Sequence, residues 1–245
     1  MNKLRDCYNE LQKILGQGIE PYESVELVER YRRYWKPDKI RIILLAESHV
    51  FTTEADRSIS VSHIDNLPGY PTEYAKFVYC LAYGEKGLTG NVLHKRDGTP
   101  QFWKIFYSCN NRVTDKKDFK PILSITKYGQ RLSNKVELLL SLKEKGIWLI
   151  DSSIVALYNN GEKPPSKIML SAIRKSWECY TADVIKEADP DHVICIGKGV
   201  AGVLEGDLRE IMGSRYKVIE QPNAHLSSEG HMANFREYGN ICCGI

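Results

Sequence analysis

The stretch Ile40-Arg41-Ile42-Ile43-Leu44-Leu45-Ala46-Glu47-Ser48-His49-Val50-Phe51 decides how the rest of the chain is read. Apart from Arg41, residues 40–46 form an unbroken apolar run, the pattern of a strand buried on both faces of a parallel sheet. The run stops abruptly at Glu47, Ser48 and His49, side chains that exchange hydrogen bonds or protons. Three further short runs have the same character, at residues 146–150, 192–196 and 216–219. Segments with helical spacing precede and separate them, at residues 4–15, 25–34, 72–83, 100–109, 133–145, 166–188 and 200–212. Strands alternating with helices predict an α/β protein whose parallel sheet is covered on both faces, a three-layer α/β/α arrangement. No repeat, low-complexity tract or long linker interrupts the pattern. The chain therefore reads as a single domain, 1–245, with residues 1–38 as an N-terminal helical extension packed on it.

Composition narrows the function classes. The 245 residues are 42% apolar and 27% charged, ordinary values for a globular protein. The 34 basic and 31 acidic residues leave a net charge of +3, which excludes a histone-like tail and neither requires nor forbids a nucleic-acid partner. Apolar runs such as Ile42-Ile43-Leu44-Leu45-Ala46 are too short to span a bilayer. The opening Met1-Asn2-Lys3-Leu4-Arg5-Asp6 alternates charge and lacks a signal-peptide core, so a cytoplasmic protein without a membrane partner is expected. Cysteines at 7, 80, 109, 179, 195, 242 and 243 are odd in number and lack C-x-x-C spacing, which argues against a disulfide framework or a metal cluster.

Open parallel sheets bind ligands beyond the carboxyl ends of their strands. Those ends carry Glu47-Ser48-His49, Asp151-Ser152-Ser153, Gly197-Lys198-Gly199, and Glu220-Gln221-Pro222-Asn223-Ala224-His225-Leu226-Ser227-Ser228. Gathered together, these groups suit activation of water and hydrogen bonding to a heterocycle. Ser48, Asp151 and Ser152 equally suit helix capping. The glycines at 197, 199 and 202 match G-x-G-x-x-G, yet too little chain follows for a nucleotide-binding half. They read as a tight strand-to-helix turn with close packing. Basic and aromatic residues interleave between Lys95 and Lys120, a pattern that suits nucleic acid and equally suits a solvated loop beside an amphipathic helix.

Taken in order from about residue 39 to 239, these segments resemble the uracil-DNA glycosylase superfamily. Leu44-Leu45-Ala46-Glu47-Ser48-His49 is similar to that family's first motif, of the G-Q-D-P-Y-H or G-E-A-P-G kind. Gln101-Phe102-Trp103-Lys104-Ile105-Phe106-Tyr107 resembles its S-L-x-N-I-Y-K helix. Residues 146–155 resemble its G-V-L-L-L-N-T-V-L-T strand, and Trp177-Glu178-Cys179-Tyr180-Thr181-Ala182-Asp183 its W-E-x-F-T-D helix. His192-Val193-Ile194-Cys195-Ile196-Gly197 is similar to V-V-F-L-L-W-G, and residues 222–227 to the H-P-S-P-L-S loop.

The resemblance implies a four-stranded parallel sheet of order 2-1-3-4. It also implies hydrolysis of the N-glycosidic bond of uracil or another modified base flipped out of DNA. Glu47 would orient water or stabilise the cationic sugar, and His225 would stabilise charge on the departing base. Ser48, His49, Phe51, Asp151 and Asn223 would contact the base, and Leu226, Ser227 and Ser228 the DNA. A monomer acting on DNA that contains a modified base is implied, with neither a metal nor an organic cofactor. Departures fall on the chemistry. Ser48 and Asp151 stand where the family has an aspartate and an asparagine, and Pro222 aligns with its catalytic histidine. Two other readings remain open: a non-catalytic base- or nucleic-acid-binding module, and an enzyme processing free nucleotides or nucleosides.

Overall fold

The computed structural model describes residues 3–93, 98–125, 127–159, 164–221 and 226–244. The apolar runs become strands β1 (Ile42–Ala46), β2 (Ile147–Asp151), β3 (His192–Ile196) and β4 (Tyr216–Ile219). They form one all-parallel sheet in the order β2-β1-β3-β4, as the resemblance implies. Every residue of β1 and β2 is buried. Successive strand residues point to opposite faces, so such strands need cover on both sides.

Helices supply that cover. In chain order they are α1 (Lys3–Leu15), α2 (Tyr22–Tyr34), α3 (Glu54–Arg57), α4 (Leu81–Gly84), α5 (Pro100–Asn110), α6 (Lys120–Leu123), α7 (Tyr128–Glu144), α8 (Ser166–Ser176), α9 (Ala182–Ala188), α10 (Lys198–Met212) and α11 (Ser228–Cys243). Helix α7 packs on β2, α10 on β3 and β4, α11 on α5, and α1 on α8. The buried apolar residues form one continuous cluster that includes Leu11 of α1 and Leu27 and Tyr31 of α2. Residues 3–34 are thus part of the common core. Among the described residues no helix is long and apolar enough to cross a membrane.

Register at the β1–β2 pair is set at Gly146. Its φ of +77° and the lack of a side chain let its carbonyl accept the Arg41 N–H at 2.8 Å and the Ile42 N–H at 3.0 Å. A Cβ there would stand 2.6 Å from the Lys39 carbonyl oxygen, inside van der Waals contact. Ala46 of β1 consequently lies opposite Asp151 of β2, so both strands end at the same level.

Two segments depart from the sequence reading. Residues 72–83, expected as a helix, are irregular up to α4. Tyr74, Ala75, Phe77, Val78, Tyr79 and Cys80 are all buried, so no polar helical face remains to meet solvent. The backbone here serves its neighbours instead: Thr72 and Lys76 carbonyls accept the N–H groups of Val61 and Val50, and Tyr74 donates to Ile59. The other departure lies within the single helix expected over residues 166–188, which is broken by a π-helical turn at Trp177–Thr181 between α8 and α9. That turn puts the Tyr180 hydroxyl 2.8 Å from Glu29, to which it donates.

Candidate active site

Beyond the carboxyl ends of the strands lies a cleft of about 820 Å³. It is lined by residues 47–51 after β1, Tyr158 after β2, Ile196 at the end of β3 and Gln221 after β4. Lys76, Tyr83, Thr99, Gln101 and Phe102 close the opposite side.

Glu47 is fixed there by its own backbone and by its carboxylate. Its carbonyl oxygen accepts the Ser153 N–H at 3.0 Å and the Ser152 hydroxyl at 2.9 Å, extending the β1–β2 pairing one step past the sheet. Its Oε2 accepts the Tyr158 hydroxyl at 2.9 Å. Its Oε1 lies over the first turn of α10, 3.5 Å from where a Cβ on Gly199 would be. Burial and the neighbouring Glu47 charge push the Tyr158 phenol up to about 12, so it remains a donor at neutral pH. A half-buried carboxylate oriented by a phenol at the edge of an open cleft is suited to orienting water or stabilising a developing cation.

The other expected site residues divide. Ser48 and Phe51 line the cleft, and the Ser48 hydroxyl accepts the Leu157 N–H at 3.3 Å. Ser227 caps α11 by accepting the Gly230 N–H at 3.0 Å, and Ser228 begins that helix. Leu226 is half-buried and lies against Gly230 in the first turn of α11. Asn223 and His225 lie outside the described residues. Gly197 makes the strand-to-helix turn at φ +98°, but a Cβ on Gly202 would meet nothing within 4 Å. Close packing is therefore not its role.

Asp151 and the His49 ring require correction: neither is available to a ligand. Asp151 does not line the cleft; its Oδ2 accepts Arg32 at 2.8 Å and faces His49 Nδ1 at 3.4 Å. His49 Nε2 is 2.7 Å from Glu20 Oε1, and the ring is fully buried. Arg32 also donates to Glu29 at 2.6 Å, and Arg33 reaches Glu29 at 2.9 Å. Both ring nitrogens of His49 face carboxylates, so both must donate and the ring is an imidazolium. With that charge, three carboxylates face three cations.

Glu20, at the turn between α1 and α2, was not legible as a site residue. Its carboxylate accepts the Ala156 N–H at 2.6 Å and the Thr52 N–H at 3.5 Å besides bonding His49. One buried side chain from the N-terminal segment therefore ties the loop bearing Glu47 to the loop bearing Tyr158. Thr99, Gln101 and Gln221 also line the cleft, and no local pattern in the sequence marks them as site residues. The Thr99 hydroxyl oxygen is buried at the cleft wall without a hydrogen-bond partner among the described residues.

The imidazolium makes stability depend on pH. Burial lowers the His49 pKa, but the Glu20 charge and the hydrogen bonds to Asp151 and Glu20 outweigh it and raise it to about 9. A group raised on folding stabilises fully below its unfolded pKa of 6.5 and ceases to do so as pH rises through 9. About 3 kcal/mol of stability is expected to be lost across that window. Urea midpoints of the wild type and His49→Gln, measured from pH 6 to 10, should converge as pH rises. Parallel pH profiles would show that no such His49-linked stability is lost over that range and would overturn this prediction.

Fold and site together define an α/β protein with an all-parallel 2-1-3-4 sheet and a carboxylate-bearing cleft at its strand ends. No family model, curated protein or solved structure matches the chain. Among the described residues no group of three or more His, Cys, Asp or Glu side chains could hold a metal ion.

Proposed function

We propose that the protein hydrolyses the N-glycosidic bond of a modified base flipped out of DNA, in the manner of the uracil-DNA glycosylase superfamily it resembles. The observation that carries this reading is Glu47, half-buried on the cleft wall with its carboxylate directed by Tyr158. In the reaction, water forms a bond to the anomeric carbon as the bond from that carbon to the base nitrogen breaks with its electron pair. The sugar passes through a cationic state that a fixed carboxylate stabilises more than it stabilises the substrate. The water proton goes to Glu47 or to solvent. Phe51, Tyr83 and Phe102 offer aromatic surface to the extruded base. The sequestered Asp151 favours a base other than uracil, because the β2 group that would read a uracil edge is engaged with Arg32. Thr99, Gln101 and Gln221 supply polar groups to the cleft in its place.

The test is incubation with oligonucleotides containing uracil, hypoxanthine, or alkylated or oxidised bases, followed by alkali cleavage of abasic sites. One modified base should give strand breaks at its own position. Tight binding without release of any base would instead support the binding-module reading.

A further inference from the structure

A second concavity of about 530 Å³ adjoins the cleft, sharing Gln101 with it. Its rim carries Lys104 from α5, Lys116 from the 3₁₀ turn Lys116–Phe119, Lys120 from α6 and His231 from α11. Its floor is apolar, built from Phe119, Met232 and Phe235, with the two phenyl rings edge-to-face at 5.0 Å. Among the described residues none of the three lysines has an ion-pair partner. The nearest carboxylates in the sequence are engaged by backbone: Asp115 accepts the Lys117 N–H, and Asp118 accepts those of Thr114 and Asp115. Lys104 lies over the Phe119 ring at 5.9 Å, but three cations from three separate elements around one apolar floor repel one another and favour an anionic occupant. Gln101 and His231 also lie in the first turns of α5 and α11, whose N-terminal ends add positive potential.

We infer that this trough binds a single-stranded polynucleotide segment, its phosphates on the lysines and its bases against the apolar floor. The inference rests on the proposed function for its substrate class, since the trough continues from the cleft in which a flipped base would sit. Single strands suit the site because stacking and phosphate contacts tolerate any sequence. It also gives a role to the lysines of the basic, aromatic stretch that the sequence left undecided: they act with α11, which is remote from them in the chain.

The experiment is fluorescence anisotropy of a labelled 20-nucleotide single strand over a range of salt concentrations, with wild type and Lys104→Ala/Lys116→Ala/Lys120→Ala. Each phosphate neutralised on a single strand contributes about 0.7 to the slope of log affinity against log salt. Removing three contacts should flatten that slope by about 2, and the corresponding triple Lys→Arg protein should restore it. Lys116 and Lys120 are exposed and Lys104 is half-buried, so circular dichroism of both triple variants checks that the fold is unchanged. A wild-type slope in the alanine variant, or no wild-type binding at low salt, overturns the inference. Displacement by poly-glutamate as effective as by polynucleotide reassigns the trough to acidic proteins and also overturns it. Base release by the wild type is scored separately. Slope loss without release leaves the trough intact and removes the proposed reaction, whereas release without slope loss does the opposite.

Discussion

Glu47→Gln is expected to lower the rate of base release about a hundredfold, with little change in affinity for the product strand. Glutamine keeps the shape and can still accept the Tyr158 hydroxyl, so what is removed is the negative charge. That charge matters most when the sugar is cationic, which puts the loss in kcat and not in KM. Tyr158→Phe, which leaves the charge but frees the carboxylate to rotate, should cost less, about tenfold. Single-turnover assays on whichever oligonucleotide the substrate panel identifies measure both. Undiminished release by Glu47→Gln, with loss on Ser48→Ala, would move the catalytic role to the neighbouring residue that aligns with the family's aspartate.

The second large effect is on stability. Asp151→Ala is expected to destabilise the fold by about 3–5 kcal/mol, because Arg32 would keep its charge in the interior with one carboxylate gone. For a chain of this size that corresponds to a fall of about 10 °C in Tm. The partner substitution Arg32→Met is also destabilising, leaving Glu29 with Arg33 and Tyr180 and Asp151 with His49 at 3.4 Å. The double variant should recover part of the sum, since removing both charges costs less than orphaning either. Thermal unfolding at pH 7 tests the set. A near-neutral Asp151→Ala that loses base recognition would return Asp151 to the cleft and refute the buried network.

Much of the architecture is written in local pattern. The continuous apolar runs at 42–46, 147–151, 192–196 and 216–219 identify parallel strands because only burial on both faces tolerates them. Gly146 just before β2 and Gly197 just after β3, both at positive φ, fix where β2 starts and where β3 stops. That is enough to bring Glu47, Asp151 and Gly197 to one edge of the sheet. Side-chain direction is not carried by such patterns. Whether Asp151 faces the cleft or the interior depends on Arg32, 119 positions earlier, and His49 turns inward because Glu20 waits there. Charge pairs of this kind are chosen by what tertiary packing makes adjacent in a dry interior, where an unpaired ion is costly. The same holds for residues 72–83, whose spacing suits a helix but whose aromatic side chains are consumed on every side by the core. It holds as well for the lysine trough. Lys104, Lys116 and Lys120 read as a basic and aromatic stretch that suits nucleic acid or a solvated loop equally, until α11 brings His231, Met232 and Phe235 against them, because a concavity exists only between elements and never within one.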